Sequence, residues 1–293
     1  MEYLRDGIPD KYGILKLQEK ILQIAVYIDK ICQENNIDYY LMGGSALGAV
    51  RHGGFIPWDD DLDIFMTPDN YQRFKSVFMS QGDKELFYLQ ELSLNDKGMI
   101  ASAKLRLNGT TLIETGVKSW NIHHGIFVDI FLIHNCPKLF IQQLFQCFAA
   151  KYILIRGQSI KNVKYSGGRA FALKLFSVLP KNAFIKSSFK KLYKYNKKKT
   201  PFVCDFMSKS FFKDGIYDAS YFREPVRVPF EKVMLNIPTK THEYLTERFG
   251  NYMKLPPESS IHEAQHAEFW DTERDFSYYL NKNRDFSDEL KLV

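Results

Sequence analysis

The segment from residue 43 to 64, GGSALGAVRHGGFIPWDDDLDI, constrains the fold more than any other part of the chain. It joins a small-residue turn, Gly43-Gly44-Ser45, to a run of acids at Asp59, Asp60, Asp61 and Asp63. In Asp61-Leu62-Asp63-Ile64-Phe65 acids alternate with apolar residues, which is the period of a β-strand. Asp61 and Asp63 then project from one face, while Leu62 and Ile64 enter a core. Two adjacent carboxylates are costly unless a cation neutralises them. A glycine turn offers free backbone N–H groups to a phosphate. Each half alone also suits an ordinary loop. Together, with Pro57-Trp58 leading into the acids, they point to metal-assisted phosphoryl chemistry.

The surrounding pattern is that of an α/β domain. Apolar residues at Ile14, Leu17, Ile21, Ile24, Ala25, Ile28 and Ile31 predict a helix over 11–35, with Asn36 helping to end it. Residues 38–42 read as a strand entering the glycine turn, and 45–51 as a short helix. Thr67 can cap a helix opened by Pro68 and running to about Met79. Strands are expected over 61–66, 86–92 and 100–107. The nearly continuous apolar run 125–133 suits a central strand buried on both faces. Helix is expected over 137–160, a linker over 161–168 and basic helices over 169–199. Farther on, 230–235 reads as a strand, and Thr239 or Thr241 as the cap of a helix ending at Phe249-Gly250.

Composition sets the outer limits. A chain of 293 residues that is 45% hydrophobic can bury a sizeable core. It has no uncharged apolar stretch of about 18 residues, so no transmembrane helix is expected. Its first residues do not read as a secretory signal. Cys32, Cys136, Cys147 and Cys204 are scattered without metal-finger spacing, and are read as reduced packing thiols of a cytoplasmic protein. The net charge of +6 is uneven. Between Ile130 and Cys204 there are 15 lysines and arginines and no acid, which leaves 25 basic against 34 acidic residues elsewhere. That basic stretch is either a solvated helical surface or a face attracted to an anionic membrane or polymer, since apolar residues interleave with lysines over 169–199. No nucleic-acid-binding motif accompanies it.

Several further residues can carry chemistry. Asp129 stands alone in an apolar strand and needs a partner. Lys104 and Arg106 place two cations on one strand face, suited to a diphosphate or a nucleotide, or simply to solvent. Arg51 and His52 lie between the glycine turn and the acids. No zinc motif is formed by the histidines.

The string GGSALGAVRHGGFIPWDDDLDI, the segment GIFVDIF around Asp129 and the stretch KLRLNGTT around Lys104 resemble the LicD family of the nucleotidyltransferase superfold. The resemblance spans about 39–133 and, more loosely, 228–257. It implies an α/β fold with a nucleotidyltransferase-like mixed sheet, flanking helices and an added helical segment. The chain would then divide into a catalytic core (1–136), a basic helical segment (137–204) and a C-terminal part completing the domain (205–293). The implied reaction transfers phosphocholine, or a related phospho-alcohol, from a CDP-linked donor to a hydroxyl of a cell-surface glycan, releasing CMP. Asp61, Asp63 and Asp129 would be the catalytic acids and the ligands of Mg2+ or Mn2+. Gly43, Gly44, Ser45, Arg51, His52, Trp58, Lys104, Arg106 and Thr111 would bind the donor, with Trp58 the best-placed aromatic face for a quaternary ammonium. The implied partners are the CDP-alcohol and a glycan acceptor, lipid-linked if the basic segment 169–199 meets the inner face of the membrane, and no nucleic acid. A nucleotidyltransferase using CTP or ATP, and a non-catalytic protein binding anionic glycans or membranes, are the alternative readings. The family's C-terminal pattern runs on into a basic residue and a histidine. Here Ser259, Ser260 and Ile261 follow Glu258, and either His262 or His266 stands for the histidine.

Overall fold

The computed structural model describes residues 7, 9–92, 101–115, 117, 118, 120, 122–160, 181–208, 212–257 and 265–280. Its centre is a mixed sheet of five strands: β1 (Tyr40–Leu41), β2 (Asp63–Met66), β3 (Phe87–Gln90), β4 (Ser102–Leu107) and, after β5 (Thr111–Glu114), β6 (Phe127–Leu132). The order across the sheet is β1-β2-β6-β4-β3. Strands β2 and β6 run parallel, and the other neighbours are antiparallel. The apolar run read as a central strand is indeed central, with β2 on one side and β4 on the other. Helices α1 (Leu15–Glu34), α2 (Gly43–His52) and α3 (Pro68–Gln81) flank the sheet. The α1 residues expected at helical spacing are all buried, and Asn36 follows the helix in a left-handed conformation (φ 53°). Thr67 caps α3, its hydroxyl accepting from the Asn70 N–H at 3.2 Å.

Several expectations are revised. Strand β2 begins at Asp63, so Asp61 belongs to the extended approach rather than to the strand. The stretch 230–235 is a hairpin of β10 (Val226–Phe230) and β11 (Val233–Ile237), not one strand. Glu231 at the turn has φ 53°, and the apolar residues on both sides hide the turn from a reading by hydropathy. Helix α6 (Thr241–Phe249) has no side-chain cap, because the Thr239 and Thr241 hydroxyls bond to the carbonyls of Glu224 and Pro238. The region between 200 and 229, where no element was expected, supplies β8 (Phe202–Cys204) and β9 (Ile216–Asp218) to a second sheet with β7 (His134–Cys136). Strands of three residues are too short to show a period.

The main core runs from α1 through the five-stranded sheet and includes Phe230, Leu235 and Ile237 of the hairpin and Tyr244 and Leu245 of α6. A second core joins Cys136, Cys147, Ala150, Ile153, Leu192, Cys204, Phe206 and Met207. It lies beneath α4 (Phe140–Ile160) and α5 (Lys181–Tyr193), which pack on each other. All four cysteines are buried free thiols. The expected linker 161–168 and the part of the basic helices before residue 181 lie outside the described residues. No helix among the described residues is long and apolar enough to cross a membrane.

Candidate active site

The acids gather where α2 begins and the central strands start. Gly43 opens α2 with φ 51°, a backbone that a side chain would strain. Its N–H donates to the Tyr244 hydroxyl at 3.0 Å, and the Arg248 guanidinium packs against its Cα. A Cβ on Gly44 would meet the Asp59 carboxylate at 2.9 Å, so glycine here lets an acid approach the helix start. Two bonds tie this turn to β2. The Asp63 N–H donates to Ser45 Oγ at 2.8 Å, and the Met42 N–H donates to the Asp63 carbonyl at 2.9 Å. Ser45 thus fixes the backbone of an acid.

Register aligns the charges across the sheet. Asp63 lies opposite Asp129 on β6, and Asp129 opposite Lys104 on β4. Lys104 Nζ reaches Asp129 Oδ2 at 2.7 Å and Glu114 Oε1 at 3.2 Å, and Ser102 Oγ donates to Asp129 Oδ1 at 2.5 Å. Arg106 donates to Gln90 Oε1 at 2.6 Å and to the Gly125 carbonyl at 2.9 Å. Lys104 and Arg106 are 2% and 0% exposed, which excludes the solvent-facing reading of β4. Burial lowers the Arg106 pKa to about 10, against the pull of Glu114 and Asp129. Burial would raise Glu114, but Lys104 and Arg106 overcome it and hold its carboxyl below the usual value. A lone buried charge is expensive, so these groups persist because each has counter-charges and hydrogen bonds.

The aspartates Asp59, Asp61 and Asp63 are less well compensated. Burial raises Asp61 to about 6, Asp60 and Asp129 add to this, and His266 and Lys104 oppose it. Burial, then Asp61 and Asp129, push Asp63 well above the carboxylate range. Asp59 is raised likewise by burial, by Asp61 and Asp60, and by a hydrogen bond with Asp61. Such a surplus of hard oxygen donors is what a divalent cation relieves. The Asp61–Asp63 pair therefore fits Mg2+ or Mn2+, although among the described residues no three His, Cys, Asp or Glu are already spaced as a ligand set.

The other candidates have partners of their own. Arg51 and His52 stand in the last turn of α2, roughly 12 Å along its axis from Gly43. Arg51 donates to the Tyr252 carbonyl at 2.7 Å and to His52 at 2.9 Å. Trp58 is buried between the rings of Tyr12 and His52. Thr111 is buried, its hydroxyl bonded to the Arg274 carbonyl at 2.8 Å. Three neighbours of the acids were not among the sequence candidates. Asp59 abuts Gly44. Arg248 covers Gly43 and donates to the Tyr217 hydroxyl at 2.9 Å. Asp60 accepts from the backbone N–H groups of His266 and Ala267 at 2.8 and 2.7 Å, and so pins the start of β12 (Ala267–Asp271), which pairs with β5. That anchor brings His266 Nε2 to 3.7 Å from Asp61 Oδ2. His262 lies outside the described residues. Adjacency within the acidic run could have drawn attention to Asp59, and His266 was one of the two histidines offered by the C-terminal pattern, whereas nothing in the local sequence marks Arg248.

Residues 36–146 match the family described as LicD/FKTN/FKRP, nucleotidyltransferase domain. The chain is 28% identical over 265 residues to the lipopolysaccharide cholinephosphotransferase LicD of Haemophilus influenzae, covering 85% of this chain and 94% of that protein. It is 57% identical over 62 residues to an uncharacterised protein of Rickettsia prowazekii, covering 21% of this chain and 23% of that protein. Over 42 residues it is 45% identical to the human ribitol 5-phosphate transferase FKRP, covering 14% of this chain and 8% of that protein.

Proposed function

The chain belongs to the LicD/FKTN/FKRP nucleotidyltransferase family, and from that premise we propose that it transfers a phospho-alcohol from a CDP-linked donor to a glycan hydroxyl. Phosphocholine is the first choice of transferred group, because the relative aligned over most of both chains is named a cholinephosphotransferase. Phosphoribitol is the second, from the shorter likeness to a ribitol 5-phosphate transferase. The observation that carries the reading is the incompletely neutralised Asp61 and Asp63, of which Asp63 is tied to the start of α2 by Ser45 and stands in register with Asp129.

In this reaction the acceptor oxygen bonds to the distal phosphorus of the donor, the P–O bond to CMP breaks, and the hydroxyl proton passes to a base. Asp61 and Asp63 would hold a divalent cation, which supplies charge neutralisation for the donor diphosphate. Asp129 is the third acid, kept in place by Ser102 and Lys104. The start of α2 offers partial positive charge to phosphate oxygens. Lys104 and Arg106 supply positive charge beneath the acids, so that an anionic donor does not enter a wholly negative site.

The test is release of CMP by the purified chain with Mg2+ and, in parallel, CDP-choline, CDP-ribitol, CDP-glycerol, CDP-ethanolamine or CTP, beside Asp61→Ala. CMP from one CDP-alcohol, abolished by the substitution and by chelation, supports the reading and names the group. Pyrophosphate from CTP without CMP would replace it with nucleotidyl transfer.

A further inference from the structure

Helix α4 is built inside out. Its inner face carries Gln143 and Gln146 beside Cys147, Ala150 and Ile153. Gln146 Nε2 donates to the carbonyls of Asn135 and Leu192 at 2.9 and 3.0 Å, and Gln143 Nε2 to that of Pro137 at 2.9 Å. The outer side at this end of the helix carries Leu139, Phe140, Ile141, Phe145 and Phe148, each 57–65% exposed. Ile141, Phe145 and Phe148 follow at i, i+4 and i+7, so they share one stripe. Isolated exposed apolar residues need no explanation, but a contiguous stripe of large ones marks a binding surface.

Charge identifies what covers it. The chain has no Asp or Glu between Ile130 and Cys204, against 15 lysines and arginines. Helix α5, packed along α4, exposes Lys186, Lys190 and Lys191. A second copy of this region would bring like charge against like charge. An anionic lipid surface answers both features, with acyl boundary for the stripe and phosphates for the lysines. The inner face of α4 is occupied by the protein's own core, so the helix would lie in the plane of the interface rather than cross it.

We propose that the exposed stripe of α4 docks the protein peripherally on an anionic phospholipid bilayer, with Phe145 and Phe148 as the apolar anchors. This inference uses no feature of the acid site, and binding is read without nucleotide, so it stands or falls separately from the proposed reaction.

The test is co-sedimentation of the full chain with phosphatidylcholine vesicles, with and without phosphatidylglycerol. Binding should require the anionic lipid and weaken with salt. Phe145→Ser/Phe148→Ser should lower the bound fraction roughly tenfold or more, with the melting temperature unchanged because both rings are exposed. Lys186→Glu/Lys190→Glu should remove the preference for anionic vesicles. Three outcomes would overturn the proposal: no binding to anionic vesicles, binding that the double serine variant leaves intact, or a lipid-free dimer that the same variant converts to monomer.

Discussion

The acid site and the α4–α5 region break the ordinary partition of residues in opposite directions. At the site, charge is inside: Asp129, Lys104 and Arg106 are buried between or beside strands. At α4, hydrophobic surface is outside and glutamine is inside. Both arrangements cost free energy relative to a conventional core, and in each the tolerated cost indicates what the region meets. Half-buried carboxylates with incomplete compensation call for a cation and a phosphate. An exposed aromatic stripe in an acid-free region calls for an apolar surface that is also anionic. The two regions differ further in their bonding, since the Gln143 and Gln146 amide N–H groups donate to backbone carbonyls of their own region, whereas Asp61 and Asp63 still repel each other and Asp129.

The contrast is broken most severely at Asp63. Asp63→Asn keeps the shape but removes a charge from the cation pair. We expect CMP release to fall by roughly 10²-fold or more, with the circular dichroism spectrum preserved; near-normal turnover would remove Asp63 from the chemistry.

Removing a compensating charge should act on stability instead. Lys104→Met leaves Asp129 and Glu114 without their shared cation, at a cost of about 3–5 kcal/mol in a denaturant melt. Adding Asp129→Asn to it should recover part of that loss, whereas simple additivity would show that the pair is not coupled.

In the α4–α5 region the pH response has a defined sign. Burial lowers His134 from 6.5 to about 4, and Asn196 bonds its Nδ1. Between those values the unfolded chain binds the proton and the folded one does not. His134 therefore contributes stability that is complete above pH 6.5 and is lost as pH falls toward 4, at up to about 1.4 kcal/mol per unit. Because carboxylates titrate in the same range, the readout is the difference between wild type and His134→Gln, which should shrink across this window.

The smallest effects separate the two faces of α4. Gln146→Ala strands two carbonyls and should cost about 1–3 kcal/mol. Phe148→Ser should stay within about 0.5 kcal/mol. A larger loss at Phe148 than at Gln146 would mean that the helix is not inside out in solution.

Much of the frame was legible because it rests on short-range pattern. The 3.6-residue spacing of α1, the Thr67-Pro68 start of α3 and the apolar run of β6 each declare an element within one window of sequence. The closeness of Gly43-Gly44-Ser45 to the acidic run likewise marked the candidate site, although the glycines open α2 and Asp61 precedes the strand. The hairpin at Glu231 and the three-residue strands β7 to β9 escaped, since their definition lies in partners far along the chain.

The acidic run shows the division most clearly. By itself the sequence determined that four carboxylates occur within five residues, shortly after the small residues Gly43-Gly44-Ser45. Alternation singled out Asp61 and Asp63 as sharing one face, but could not say what any of the four meets. Tertiary structure decided their surroundings: Asp59 lies where a Cβ on Gly44 would stand, Asp60 meets the amides of His266 and Ala267, Asp61 the ring of His266, and Asp63 the register of β6. Those partners come from as far as 207 residues away. Burial, counter-charge and hydrogen bonding act through space, so an aspartate's environment is set by the folded surroundings and not by its neighbours in the chain.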